Sequence, residues 1–343
     1  MKVGIIVPMS IAAVNGGLRT QVNFTVNHLR NFGVEPAFIS PFDDLEKSEL
    51  DLVHVFGSSV ENSGIVSQLK QFDIPIILSP VFYSNRSASF IAKTIKIERF
   101  LERFGSGIRS DFSIKAKICA QADLIIPNTK KEAEIVSEGF SISNDNIAVI
   151  PNGVEERFAK ADPELFHEKY GITDFVCFAG QAGAPRKNVE LLLKSAPSLN
   201  APLVIIGDFS DNDYGSKCKK IAAELDTVTL IDSLDHDSDL LASAYAACKV
   251  FVLPSQYETP GIAAMEAALS GSNIVITEKG GTKEYFLDYA EYIKPGSKSS
   301  LIQRINQALS KTSSNSLRDH ILNNYTWHKV AELTYNQYKR VLS

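Results

Sequence analysis

Two glutamates, Glu258 and Glu266, bracket a Thr259-Pro260-Gly261 sequence that follows a wholly apolar run, Val250 to Leu253. Such a run reads as a parallel strand buried on both faces. Thr favours the N-cap and Pro the first helical position, which predicts a helix beginning at Pro260. Ala263, Ala264, Met265, Ala267, Ala268 and Leu269 carry it to a stop at Gly271. The N–H groups of Gly261, Ile262 and Ala263 would then face out of the helix end, where backbone dipoles attract phosphate. Gly261 would let a ligand approach the backbone. One acid before that end and one two turns inside it suit a guest with hydroxyls as well as phosphate, because carboxylates accept bonds from sugar hydroxyls. The bland alternative makes Glu258 a solvated loop acid and Glu266 a surface helix residue.

A second charged group lies upstream. The segment Phe175 to Ala179 reads as a strand and Gly180 to Pro185 as a glycine-containing loop, after which Arg186-Lys187-Asn188 opens a helix through Lys194. Adjacent cations at a helix start oppose the dipole unless an anion such as a diphosphate sits there. The competing reading is an exposed basic pair. Near the N-terminus, Asn15 and the adjacent Gly16 and Gly17 end the loop between a strand at Val3 to Pro8 and a helix at Leu18 to Asn31. They could pass close to a bound group or simply be flexible. No G-x-G-x-x-G is present, which weakens a dinucleotide dehydrogenase reading, and Gly280-Gly281-Thr282-Lys283-Glu284 lacks P-loop spacing. Asp211-Asn212-Asp213 reads as a polar surface turn, and no metal is expected. His54 lies inside an apolar strand, Leu52 to Phe56, as a core residue first and a pocket residue second.

The elements that must position these groups follow from pattern. Strands are expected at Glu35 to Ser40, Pro75 to Ser79, Leu124 to Pro127, Ile147 to Pro151, Leu203 to Gly207, Val228 to Ile231 and Asn273 to Thr277. Alternation with helical stretches predicts an α/β fold of doubly wound parallel sheets. A chain of 343 residues exceeds one core. The polar stretch Glu156 to Gly171 sets a boundary, giving domains at 1–160 and 161–324 and a closing helix within 325–343. A formal charge of -5 argues against general nucleic-acid binding. The four cysteines are widely separated, which supports neither zinc nor a disulfide framework and fits a cytoplasmic protein. Pro8 interrupts the first apolar run, which favours a strand over a signal peptide, and no run is long enough to span a membrane.

Residues 86–117 differ from the rest. Arg86, Lys93, Lys96, Arg99, Arg103, Arg109, Lys115 and Lys117 face only three acids, Glu98, Glu102 and Asp111. Ile91, Ile95, Ile97, Leu101, Phe104 and Ile108 recur at roughly helical spacing. Two readings stand: a core-packed helix with a solvated basic face, or peripheral contact with an anionic membrane.

Taken with its strand and helix context, the E-x7-E pair resembles the motif of retaining glycosyltransferases of the GT-B fold, family 4, and the likeness extends over nearly the whole chain. It implies two Rossmann-like doubly wound domains facing a central cleft, with a C-terminal helix anchored by Trp327 crossing back to the first domain. The N-terminal domain would lie on the acceptor side and the C-terminal one would bind the nucleotide-sugar. By resemblance, Glu258 contacts the donor sugar and Glu266 the ribose hydroxyls. Gly16 and Gly17 lie against the diphosphate, with Pro260, Gly261 and Ile262 at its helix end. Asp232-Ser233-Leu234 places Asp232 and Leu234 where backbone reads the base. Lys187 matches the family lysine. Gln181, after Gly180, stands where the family has arginine, leaving Arg186 as the candidate substitute. No histidine follows Ser79, another departure. The implied reaction is metal-independent, needs no cofactor, and transfers sugar from a nucleotide-sugar donor to a glycan or lipid-linked acceptor. It would run in the cytoplasm or peripherally on the inner face of the membrane. A catalytically weak sugar-nucleotide-binding subunit, and then a nucleotide-sugar epimerase, are the alternatives.

Overall fold

Short segments, most of them rich in Val, Ile and Leu, form the strands, and all strands among the described residues pair in parallel. The computed structural model describes residues 1–13, 16–40, 42–45, 49–105, 107, 109–312 and 315–343; Asn15 and Ile108 lie outside the described residues. The chain divides into two units, one made of Met1–Gly153 with Trp327–Ser343 and the other of Val154–Thr326.

In the first unit the strands are β1 (Lys2–Ile6), β2 (Glu35–Phe38), β3 (Leu52–Phe56), β4 (Ile76–Ser79) and β5 (Leu124–Ile125), ordered β2-β1-β3-β4-β5. Its helices are α1 (Gly17–Leu29), α2 (Val60–Leu69), α3 (Ala88–Glu102), α4 (Asp111–Cys119) and α5 (Lys130–Glu134). Because every residue of β3 and β4 is buried, each strand reads as an uninterrupted run. The segment expected as a strand at Ile147 to Pro151 is not one. It makes a single parallel bridge from Ile147 to Ile125, with Ala148 and Ile150 donating to Ile125 and Pro127 carbonyls at 2.9 and 3.0 Å. Its partner β5 is only two residues long, too short to support a ladder.

The second unit carries β6 (Val176–Ala179), β7 (Leu203–Ile206), β8 (Val228–Ile231), β9 (Val250–Leu253), β10 (Asn273–Thr277) and β11 (Glu291–Ile293). Between them run α6 (Glu164–Tyr170), α7 (Val189–Ser195), α8 (Asp213–Ala223), α9 (Asp239–Ala247), α10 (Ile262–Leu269), α11 (Thr282–Phe286), α12 (Lys298–Leu309) and α13 (Asn315–Asn324). The sheet order is β11-β10-β9-β6-β7-β8. Numbered within the unit this is the dinucleotide-fold order, with its reversal between β6 and β9. The core is aromatic as well as aliphatic: Phe166, Phe175, Phe178, Phe251 and Phe286 are all fully buried.

The last helix, α14 (Trp327–Leu342), belongs to the first unit. Buried Trp327 stacks on Phe24 of α1, ring centroids 5.5 Å apart. Gly153 is small of necessity, since a Cβ there would come 2.7 Å from the indole. Further along α14, the Tyr338 hydroxyl lies 2.6 Å from His54 Nδ1, while Ser79 Oγ lies 2.9 Å from Nε2. His54 is thus a satisfied core residue tying β3 to β4 and α14.

Burial lowers the His54 pKa from 6.5 to about 3. The unfolded chain takes up the proton first, so the stability contributed by the neutral ring is fully present above pH 6.5 and is lost progressively as pH falls towards 3. Between about pH 7 and about pH 5 this amounts to roughly 2 kcal/mol. Urea melts at those two values should show a midpoint drop that His54→Gln reduces; an equal drop in both proteins would assign the acid sensitivity elsewhere.

Candidate functional site

In an open parallel sheet the ligand crevice lies outside the carboxyl ends of the strands where their order reverses. In the second unit that point falls between β6 and β9, and the loops leaving those two strands are bonded together. Gln256 N–H donates to the Arg186 carbonyl at 2.9 Å, and the Asn188 amide donates to the Pro254 carbonyl at 3.2 Å. The Arg186 guanidinium donates to the Tyr257 carbonyl at 2.9 Å and lies over the Tyr257 ring.

The helix after β9 begins later than the Thr-Pro pattern predicts. The Thr259–Pro260 peptide is cis, Gly261 is the N-cap, and α10 starts at Ile262. Gly261 has φ +90°, outside the right-handed region, so a helix cannot run through it from Pro260. Ala264 and Met265 donate to the Gly261 carbonyl at 2.9 and 3.2 Å. The N–H groups of Gly261, Ile262 and Ala263 have no protein acceptor among the described residues. They remain available to an anion. Glu266 stands about one turn into α10 rather than two.

Glu258 is buried, not a solvated loop acid. Its Oε1 accepts from Lys187 Nζ at 2.6 Å and from Ser255 Oγ at 2.6 Å, with Arg186 Nη1 at 3.5 Å. Burial pushes this carboxyl up, but the Lys187 and Arg186 cations and the two hydrogen bonds outweigh it and hold its pKa below the usual range. It is therefore an ionised acceptor at neutral pH. The basic pair does not open a helix, as its sequence suggested. It occupies a separate 3-10 turn, Pro185–Lys187, and α7 begins only after Asn188 at φ 57°. What relieves the two cations is the carboxylate from the loop after β9, not a helix terminus.

The Glu258 backbone is clamped from the other side. Its N–H donates to the Lys279 carbonyl at 3.1 Å, and its carbonyl accepts from Gly281 at 3.0 Å. A Cβ on Gly280 would sit 1.9 Å from that carbonyl oxygen, so the Gly-Gly turn exists to admit the strand-like contact.

Glu266 is also buried rather than a surface residue. Its Oε1 lies 2.7 Å from His236 Nε2, while His236 Nδ1 faces Asp237 at 3.2 Å and Glu155 at 3.6 Å. Arg157 pairs with Glu155 at 3.2 Å and also donates to the His236 carbonyl. The Glu266 hydrogen bond raises the His236 pKa to about 9 against the opposing effect of burial, with Asp237 and Glu155 helping. Glu155, His236 and Asp237 could geometrically surround a cation. A protonated imidazole offers no lone pair to one. Sequence reading missed His236; its only signal was an imidazole between two aspartates shortly after a strand's carboxyl end. Of the remaining expected residues, Gly180 and Gln181 are exposed after β6, and Asp232 and half-buried Leu234 follow β8. Pro260 is buried beside Gly261. Gly16 and Gly17 start α1 in the first unit.

Both units have the fold of GT-B glycosyltransferases. Sucrose-phosphate synthase from Thermosynechococcus elongatus superposes with a TM-score of 0.78 at 17% identity, over 99% of each chain. HepE from Anabaena, in complex with UDP and glucose, superposes with a TM-score of 0.71 at 15% identity, covering 99% of this chain and 100% of that one. Residues 164–326, nearly all of the second unit, match the model for glycosyl transferases group 1. D-inositol 3-phosphate glycosyltransferase of Stackebrandtia nassauensis is 31% identical over 183 residues, 48% of this chain and 41% of that protein. The chain spans about half the length of the curated relatives it matches.

Two outcomes follow from this geometry. Gly280→Ala should displace the Glu258 loop and lower the melting temperature by several degrees, at a cost of about 1–3 kcal/mol; an unchanged melt would mean that the turn yields freely. In an NMR titration the His236 ring should keep its proton to about pH 9, and to near the ordinary 6.5 in Glu266→Gln. The stability this pair contributes is fully present below pH 6.5 and lost as pH rises through 9. A wild-type ring titrating near 6.5 would remove the assignment.

Proposed function

We propose that the chain is a retaining glycosyltransferase that moves a hexosyl group from a nucleotide-sugar donor to a glycan or lipid-linked acceptor without a metal ion. It would work in the cytoplasm or at the inner face of the membrane. The observation that carries this reading is the meeting, at one strand-order reversal, of Lys187, Arg186 and Glu258 with the open N–H groups of Gly261, Ile262 and Ala263. The fold shared with a UDP-bound neighbour supports a nucleoside diphosphate as the anion.

The chemistry follows from charge. As the bond from the anomeric carbon to the diphosphate breaks, negative charge grows on the departing oxygen. Lys187, Arg186 and the helix end supply fixed positive potential there, the task a divalent cation performs elsewhere. Glu258, held ionised, accepts from sugar hydroxyls and orients the ring; with its pKa lowered it is a poor proton donor. The acceptor hydroxyl attacks from the face the phosphate leaves. Its proton passes to the departing phosphate oxygen as the new bond to the anomeric carbon forms. Glu266, oriented by His236, accepts from the ribose hydroxyls, and backbone at Asp232 and Leu234 reads the base.

One observation favours the second reading, a sugar-nucleotide binder with little turnover: Gln181 brings no charge to the end of β6. A thermal-shift panel of UDP-, GDP- and ADP-sugars identifies the donor, and release of free nucleotide separates enzyme from binder. Glu258→Gln keeps the side-chain shape and frees both cations for phosphate. Nucleoside diphosphate should bind as well or better while turnover falls about 10²–10³-fold. Glu266→Ala should instead weaken nucleotide binding first, by roughly tenfold. Wild-type turnover in Glu258→Gln would defeat the assignment.

A further inference from the structure

Helix α3 is apolar on two faces. Ala88, Ile91 and Ile95 form the buried one, packed within the first unit. The other looks outward. Phe90, Ile97, Leu101 and Phe104 recur at i, i+7, i+11 and i+14, one continuous stripe through the helix and its final turn, with Phe100 beside it. Their exposures are 46%, 59%, 43%, 75% and 57%, respectively. Single exposed apolar residues are ordinary, but four in one stripe with a fifth beside it mark a surface that something covers.

The charges around the stripe indicate what that is. Glu102 is paired with Arg109, and Glu98 accepts from the Ser110 N–H and the Ser113 hydroxyl, so both acids of the helix are engaged internally. Arg86, Lys93, Lys96, Arg99 and Arg103 have no carboxylate partner among the described residues. Arg86 lies over the Phe90 ring, and the Phe100 and Phe104 rings meet edge to face. A second copy of this chain would bring five unpaired cations against five more. An anionic lipid surface would attract them all and take the aromatic rings into its headgroup boundary.

We infer that α3 is a docking surface for anionic lipid, with Phe90, Ile97, Phe100, Leu101 and Phe104 inserted and Arg86, Lys93, Lys96, Arg99 and Arg103 set against the headgroups. The inference stands on this helix alone and does not depend on the transferase reading.

The test is sedimentation of the full chain with vesicles of phosphatidylcholine, with and without an equal part of phosphatidylglycerol. The protein should pellet with the anionic vesicles only and be released at about 0.5 M salt, where charges are screened. Lys93→Gln with Lys96→Gln should lower partitioning about 25-fold, at roughly fivefold per charge. Phe100→Ser with Phe104→Ser should lower it at least about tenfold, because two inserted rings are lost. These side chains are exposed, so the thermal melt should hold in both variants; if the serine variant aggregates, the lysine variant reads the electrostatic half by itself. Equal pelleting with neutral vesicles, or none with either, overturns the inference. So does a light-scattering dimer that Phe100→Ser with Phe104→Ser abolishes, which would give the stripe to a second copy.

Discussion

A carboxylate cannot be taken out of water without a counter-charge, and in the second unit that rule decides where two loops go. Glu258 leaves solvent in the loop after β9, while the cations that make this tolerable belong to the loop after β6. Removing either partner would strand the other at a cost of several kcal/mol. Ser255 donates a further hydrogen bond to the carboxylate, and the turn at Gly280 seals the backbone. The crevice that the sheet order creates for a ligand is thereby held in one shape before any ligand arrives, which is what preorganised electrostatics requires.

The same rule acts a second time in the same unit. Glu266 is buried against a protonated His236 instead of a lysine. The two sites differ in balance. Around Glu258, two cations meet one carboxylate. Around His236, three carboxylates meet two cations. The first cluster thus favours anionic groups and the second favours hydrogen-bond donors. On the proposed reading the first would meet the diphosphate and the second the ribose hydroxyls.

Much of this was legible in the sequence, for reasons tied to particular residues. Fully buried parallel strands such as β4, β7 and β9 announce themselves as unbroken apolar runs. The acids and the basic pair were recognisable because charged residues beside such runs need an explanation. Partnership was not recognisable. Nothing local in Arg186-Lys187 says that its counter-ion lies some seventy positions away, and reading it against its own helix produced the wrong origin for its relief. Thr259-Pro260 carried good helix-start residues, yet the left-handed Gly261 after them delayed the start. His236 escaped because a lone imidazole in a polar loop has no period and no motif; only the fold brings Glu266 to it.

The first unit is interrupted by the whole of the second. Residues 327–343, which supply the indole against Phe24 and the phenol against His54, are synthesised after all of Val154–Thr326. During translation the earlier body therefore waits, with an uncovered flank on α1 and an imidazole lacking one neighbour, while the inserted body already has every strand of its sheet. Ribosomal order and maturation order can then be inverted: the later-coded unit is complete in sequence first, and a nascent chain halted before Trp327 still lacks the helix that covers α1.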